Sequence, residues 1–317
     1  MTLKSKNPLY YAKILLFGEY GIIENSMGLS IPFHDFKAEF ISSNEPLSPE
    51  QMRSNESLHK YCDYLMIQQA QGKLPCSMDL ASFEKDIEGQ IYFCSTIPQG
   101  FGVGSSGALV AAVYAKYAKD PILASEASNG ENFVTLKKTL GQLENFFHGK
   151  SSGLDPLICY LDLPVLIKDK EELGAVSMPK EQHNGEGAIF LINSGNPGHT
   201  QSMVAIFLQK LKNRGFRKLF KTELKELNDA CIQDFLKGDM TGLFDNLKGL
   251  SSFFFDYFKQ MIPSKFEQIW KEGIDTNKYY LKLCGSGGGG YILGFAKDIK
   301  VAQEHLKDHQ LNIIHRF

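Results

Sequence analysis

The chain has 317 residues, and its 34 lysines and arginines nearly balance 36 aspartates and glutamates, for a formal charge of −2. That balance argues against a broad nucleic-acid-binding or anionic-membrane surface, which requires a basic excess. A content of 43% hydrophobic and 22% charged residues is ordinary for a globular chain with room for two domains, and no apolar run reaches the ~18 residues that would span a bilayer.

In chain order, Tyr10 to Phe17 reads as a strand, from its short apolar, aromatic and β-branched run. Gly21 to Phe33 and Asp35 to Ile41 read as a second and a third. Ser48 to Gln71 reads as a helix opened by Ser-Pro-Glu, with proline at an N1-like position. Gln90 to Ser95 is a strand ended by Ile97-Pro98. A glycine loop follows, then a buried helix over Ala108 to Ala118 and an amphipathic one over Asn132 to Phe147. Pro164 to Lys168 and Ala188 to Asn193 are short strands. From Thr200 to about Asn277 helical patterns dominate. Strands return at Tyr279 to Cys284, Tyr291 to Phe295 and Leu311 to Phe317, with a helix between the last two. A β-rich first half followed by helices and a few strands predicts α+β rather than an alternating parallel-sheet fold. The turn-rich segment Glu181 to Gly187 divides an expected domain 1–180 from another, 181–317.

The six cysteines (Cys62, Cys76, Cys94, Cys159, Cys231 and Cys284) are scattered, with no C-x-x-C pair. Reduced thiols in a cytoplasmic protein are the expectation, not a disulfide framework or a zinc site. The first twenty residues lack an apolar segment followed by a small-residue cleavage site, so no secretory signal is expected. His305 and His309 are four apart but lack a third ligand, and read as helix surface. The Phe253 to Phe258 run reads as core or as a homodimer contact.

Three segments carry chemistry. Pro98-Gln-Gly100-Phe-Gly102-Val-Gly104-Ser105-Ser106-Gly107-Ala108-Leu109 is a glycine loop opening into a helix. Its glycines let a bulky ligand approach the backbone, and the helix start offers unpaired N–H groups and a positive dipole end, which together suit phosphates. Ser105 and Ser106 add hydroxyls that suit a phosphate or a magnesium ion. The loop is not a P-loop, because no lysine follows it. The dinucleotide fingerprint at Gly102, Gly104 and Gly107 lacks its context, because Ile97-Pro98 separates it from the strand.

The second segment runs from Glu144 through His148-Gly149-Lys150-Ser151-Ser152-Gly153 to Asp155. The first helix should end near His148-Gly149, and Ser151 or Ser152 should cap the next, with Asp155 in its first turn. Taken alone, Glu144 reads as a solvated helix charge and Asp155 as a first-turn stabiliser. The third segment, Leu283-Cys284-Gly285-Ser286-Gly287-Gly288-Gly289-Gly290-Tyr291, is too glycine-rich for a plain hairpin turn and implies close backbone packing. Near the N-terminus, Lys13 sits in an apolar strand ahead of Gly18-Glu19-Tyr20-Gly21; it is either paired or on a sheet edge.

Taken in order, these segments resemble the motifs of the GHMP kinase superfamily. Lys13 to Glu19 is similar to its first motif. Pro98 to Leu109 is similar to the second, P-x-G-x-G-L-G-S-S-A-A, with Val103 for Leu and Gly107 for Ala. Leu283 to Gly290 is similar to the third, with Ser286 where Ala is common. Within the superfamily the chain most resembles mevalonate kinase, whose E-x-x-x-H-G-x-P-S-G-x-D segment is matched at Glu144, His148, Gly149, Ser152, Gly153 and Asp155, with Ser151 for Pro. Asn193-Ser-Gly-Asn-Pro197-Gly-His-Thr200 resembles a further segment of that family. Gly18-Glu19-Tyr20 departs from the G-E-H usual in mevalonate kinases and resembles the G-E-Y frequent in phosphomevalonate kinases.

The resemblance implies a two-domain GHMP kinase-like fold with its active site in the interdomain cleft, and ATP-dependent phosphorylation of a small molecule. It implies ATP held by Gly100, Gly102, Gly104, Ser105, Ser106 and Gly107, and Mg2+ held by Ser106 and Glu144. Asp155 is then the general base and Lys13 its cationic partner. Glu19, Tyr20, His148, Thr200 and Ser286, with Lys13 and Asp155, fall among the substrate contacts. The acceptor the resemblance implies is the primary hydroxyl of mevalonate; phosphomevalonate kinase or another GHMP small-molecule kinase, a catalytically idle GHMP-fold ligand-binding protein and a nicotinamide-binding protein are the rival readings.

Overall fold

A computed structural model describes residues 7–127, 130–169, 172–198 and 200–317. Its elements in chain order are β1 (Tyr10–Phe17), β2 (Gly28–Ser42), α1 (Pro49–Ala70), α2 (Leu80–Glu88), β3 (Ile91–Ser95), α3 (Ser105–Tyr117), α4 (Glu131–His148) and α5 (Leu154–Leu161). They continue with β4 (Val165–Ile167), β5 (Leu173–Ala175), β6 (Ala188–Asn193), α6 (Thr200–Leu211), α7 (Arg214–Leu219), α8 (Lys225–Lys237) and α9 (Met240–Tyr257). The last are α10 (Glu267–Thr276), β7 (Tyr280–Leu283), β8 (Tyr291–Ala296), α11 (Ile299–His305) and β9 (Leu311–Arg316). The mixture is α+β, as the sequence predicts. No helix among the described residues is long and apolar enough to cross a membrane.

The chain forms two compact units. The first takes the residues up to Lys13, Pro32–Pro98 and Gly104–Leu163; the second takes Ile14–Ile31, Gln99–Val103 and Pro164–Phe317. These units interleave along the chain, whereas the expected division, 1–180 and 181–317, is contiguous. The glycine loop is itself divided, with Gly100 and Gly102 in the second unit and Gly104 to Gly107 in the first.

In the first unit, α3 forms the interior. Its small residues let neighbours approach, and Ala108, Val110, Ala111, Ala112 and Val113 are all fully buried. Leu58, Tyr61 and Leu65 of α1 and Leu136, Leu140 and Leu143 of α4 supply the larger side chains, each worth about 1.5–3 kcal/mol of burial. The Tyr61 hydroxyl donates to the Leu143 carbonyl at 3.1 Å, tying α1 to the turn of α4 that carries Glu144. The predicted start of α1 is realised as a capping box, in which Ser48 accepts from the Gln51 amide and Gln51 accepts from that of Ser48. The second half of β2 pairs antiparallel with β3, from Ala38 opposite Ser95 to Ser42 opposite Ile91.

In the second unit, an antiparallel sheet of order β7-β8-β6-β9 carries the core. Ala188 to Ile192 of β6 are buried without a break, which explains why this strand reads as a continuous apolar run rather than an alternation. Phe253, Phe254 and Phe258 are buried here, and the Trp270 indole donates to the Ser251 carbonyl at 3.1 Å, joining α10 to α9. The first residues of β2 pair with β4, and β4 with β5.

Three elements differ from expectation. The second and third expected strands are one 15-residue strand, β2. His34 and Asp35, which suggest a turn, face solvent within it. The stretch Gly21–Glu24 is a 3-10 turn. Helix α2 was not foreseen, although Asp79 caps it by accepting from the Ser82 amide, and Leu80, Phe83 and Ile87 form its buried stripe.

Candidate functional site

Within the first unit, Lys13 of the first motif, the second half of the glycine loop and the Glu144 to Asp155 segment come together. Lys13 lies on β1, is 4% exposed, and places Nζ 2.8 Å from Oδ1 of Asp155. Of the two readings of this lysine, pairing is the one realised. Gly104 is the N-cap of α3 and supplies no capping side chain, so no cap occupies the first-turn N–H groups. Gly107 lies one turn in. A Cβ there would stand 2.8 Å from the Asp155 carbonyl carbon and 2.9 Å from the Pro156 nitrogen. Glycine at this position thus lets α5 pack directly on α3.

Glu144 continues the inward stripe of α4 made by Phe133, Leu136, Leu140 and Leu143, and is 3% exposed. It is not the solvated helix charge that the residue alone suggests. The Ser106 hydroxyl donates to its Oε1 at 2.9 Å and the Ser151 hydroxyl to its Oε2 at 2.5 Å. Burial pushes the Glu144 carboxyl up to about 7, and the charge of Asp155 adds to the rise, while the two serines and Lys13 oppose it. Nε2 of His148, at the end of α4, lies 3.0 Å from the Ser106 oxygen. Ser105 opens α3 beside Ser106.

Asp155 occupies the first turn of α5, as predicted, but neither serine is the N-cap. Gly153 holds that position with φ of 76°. A Cβ on it would meet the Lys137 carbonyl oxygen at 2.0 Å, so only glycine fits. Ser151 and Ser152 instead accept from the Gly153 and Leu154 amides at 2.9 and 3.3 Å, fixing the turn that delivers Asp155. Cys159 lies one turn beyond Asp155. Burial first, and then the Asp155 carboxylate, holds its thiol well above the usual range, so it is no nucleophile.

The unit thus gathers two carboxylates, one ammonium and a serine hydroxyl beside a helix N-terminus. With both acids ionised, the acids exceed Lys13 by one negative charge. A divalent cation would relieve that excess.

The second unit holds the remaining predicted residues. Glu19 pairs with Lys282 at 2.5 Å, both side chains being 1% exposed, and the ammonium also donates to the Leu283 carbonyl at 3.0 Å. Sequence reasoning missed Lys282. The signal was available, because it is a lysine within the apolar strand Tyr-Leu-Lys-Leu, the same anomaly as Lys13. The Tyr20 hydroxyl donates to the Ser286 carbonyl at 2.5 Å. The glycine run is threaded by backbone bonds, Gly290 N–H to the Asn196 carbonyl at 2.7 Å and Ser194 N–H to that of Gly290 at 2.8 Å. Gly100 accepts from the Gly198 amide at 2.7 Å, and Gly102 lies against the Cys284 carbonyl. Thr200 is the first residue of α6; its side chain falls outside the described residues.

No family model and no curated protein sequence matches the chain. Solved structures do. The L. major mevalonate kinase in complex with R-mevalonate superposes with a TM-score of 0.64 at 14% identity, over 99% of this chain and 97% of that one. The Streptococcus pneumoniae phosphomevalonate kinase in complex with phosphomevalonate and AMPPNP gives 0.62 at 16% identity, over 98% of each chain. The Lactococcus lactis galactokinase complexed with galactose gives 0.59 at 11% identity, over 97% of this chain and 92% of that one. All three are GHMP kinases. One architecture here serves three acceptors, so the likeness speaks to fold and not to substrate. Over nearly its whole length, the chain has the GHMP kinase fold.

Proposed function

We propose that the protein is an ATP-dependent small-molecule kinase, and that its acceptor is the primary hydroxyl of mevalonate, giving 5-phosphomevalonate. The observation that carries this reading is the Lys13–Asp155 pair at 2.8 Å, beside a helix start whose serine bonds a buried glutamate. Phosphoryl transfer needs positioning and charge stabilisation more than covalent chemistry from the protein, and this group offers both.

In this reading the N–H groups at the start of α3, with Gly100, Gly102, Gly104, Ser105, Ser106 and Gly107, hold the phosphates of ATP. Asp155 accepts the proton of the acceptor hydroxyl as its oxygen bonds to the γ-phosphorus and the bond to the ADP oxygen breaks. Lys13 offsets the charge on the attacking and transferring oxygens. Among the described residues no group of three or more His, Cys, Asp or Glu side chains is set to hold a metal alone. A hydroxyl and a carboxylate nonetheless fit Mg2+, which takes few protein oxygens and fills its octahedron with phosphate and water. The buried Glu144, raised by a neighbouring acid, is a carboxylate that such a cation would favour in its ionised form. When bound by Ser106 and Glu144, the ion would neutralise phosphate charge.

Mevalonate is favoured by the Glu144 to Asp155 segment, which ties Glu144, Ser106 and His148 into one cluster. Glu19, Tyr20, His148, Thr200 and Ser286 are the proposed residues of the acceptor side, whether they touch the acceptor or hold those that do. Tyr20 favours a second reading, phosphomevalonate. The test is a coupled ADP-release assay with mevalonate, phosphomevalonate, homoserine and galactose. Turnover of mevalonate alone is expected; turnover of phosphomevalonate alone would make Tyr20 the better guide, and release with none of the four would refute the kinase reading.

A further inference from the structure

Tyr20 is held in a conformation that its residue type disfavours. Its φ is 60°, in the region that favours glycine, although it carries a large side chain. Such strain persists only where surrounding contacts determine it, and it concentrates at functional sites. The contacts are visible here, and all belong to the second unit. The ring lies against Phe207, centroids 4.6 Å apart, and is stacked on Phe258 at 5.4 Å. The residue is 7% exposed. Burial, with the adjacent Glu19 carboxylate adding to it, holds the phenol proton on, so the hydroxyl remains a donor. It gives that proton to the backbone carbonyl of Ser286, 266 positions along the chain.

Glu19, the preceding residue, grips the same hairpin one strand earlier through Lys282. Two successive side chains of the first motif therefore fasten the third motif, one at the strand end and one within the glycine run. That run needs a fastener. Five of its six residues are glycine, and Gly285, Gly287, Gly288, Gly289 and Gly290 all have positive φ, so it has little intrinsic stiffness.

We propose that Tyr20 is a positioning residue rather than a substrate ligand: it fixes the backbone of Ser286 in the flexible glycine run and so sets where the Ser286 hydroxyl meets the acceptor. This deepens the kinase reading and rests on it. The phenol proton is committed to a carbonyl and the ring packs against Phe207 and Phe258, whereas Ser286 is half-buried. In this chain a tyrosine is what spans the distance from the strained corner to the glycine run.

The experiment compares wild type, Tyr20→Phe, Ser286→Ala and the double variant. Tyr20→Phe keeps the ring and removes the latch, at the cost of one hydrogen bond. It should raise the acceptor KM about threefold to tenfold while leaving the ATP KM unchanged. The double variant should match Ser286→Ala alone, because Tyr20 acts through Ser286. Losses that multiply would mean that Tyr20 touches the acceptor itself and would overturn the proposal, as would an unchanged acceptor KM. Amide hydrogen exchange supplies an arm independent of turnover. In Tyr20→Phe, peptides covering 285–290 should exchange about threefold to tenfold faster, with α1 unchanged as the folding control. If wild type turns over none of the acceptors, the kinase reading fails, while this arm still decides whether the latch exists; unchanged exchange over 285–290 refutes it.

Discussion

The state of Glu144 offers a quantitative check on the buried cluster. Its carboxyl titrates near 4.5 in an unfolded chain and is pushed up to about 7 in the folded one, first by burial and then by the Asp155 charge. The folded chain therefore binds more protons than the unfolded chain between these values, and stability must fall as pH rises through that window. The contribution is fully present below about 4.5, drains away up to about 7, and is flat beyond it. The rise corresponds to about 3 kcal/mol. Other groups titrate too. Asp86 and Glu24 are held below their usual range, chiefly by lysine partners acting against burial, and buried His315 is also held low. Those terms cancel in a difference between wild type and Glu144→Gln, a neutral isostere that retains the serine partners. Urea unfolding with a chelator present, from pH 4 to pH 8, should show wild type losing about 3 kcal/mol relative to the variant. A difference that stays flat, or moves the other way, would refute the buried, acid-flanked placement of Glu144.

Three further outcomes follow from the same geometry. Gly153→Ala puts a methyl 2.0 Å from the Lys137 carbonyl oxygen at positive φ, and should cost more than ~2 kcal/mol in urea unfolding and displace Asp155; wild-type stability would contradict that turn. Lys282→Met leaves Glu19 buried without its cation and should cost about 3–5 kcal/mol, whereas Glu19→Gln with Lys282→Met should recover most of the loss; a double variant as unstable as the single would show the pair is not the cause. Chelating magnesium should abolish turnover, and a chelator-insensitive reaction would remove the metal role from Ser106 and Glu144.

Much of the fold is legible along the chain because its signals are local. The Ser48 capping box, the apolar run of β6 and the glycine that ends α4 each announce themselves within a few residues. β2 misleads for a physical reason: its middle is exposed at His34, Asp35 and Lys37, so these polar residues resemble a turn while the backbone continues extended. Lys13 and Asp155 stand out by position, but that they meet at 2.8 Å depends on the 141 residues between them and on Gly107 letting two helices touch. Glu144 is the clearest case of tertiary context overriding the residue: charged and helical, it reads as surface until its place on the stripe of Leu136, Leu140 and Leu143 is noticed. Lys282 could have been found by the reasoning applied to Lys13. The Tyr20 contact with Ser286 could not, because nothing local reports that a phenol reaches a carbonyl 266 positions away.

The most direct test of the proposed chemistry is the steady-state turnover of Asp155→Asn with mevalonate at saturating Mg·ATP. If Asp155 takes the hydroxyl proton beside Lys13, kcat should fall by about 10²–10⁴ while the ATP KM stays within about threefold. Near-normal turnover by that variant would contradict the account.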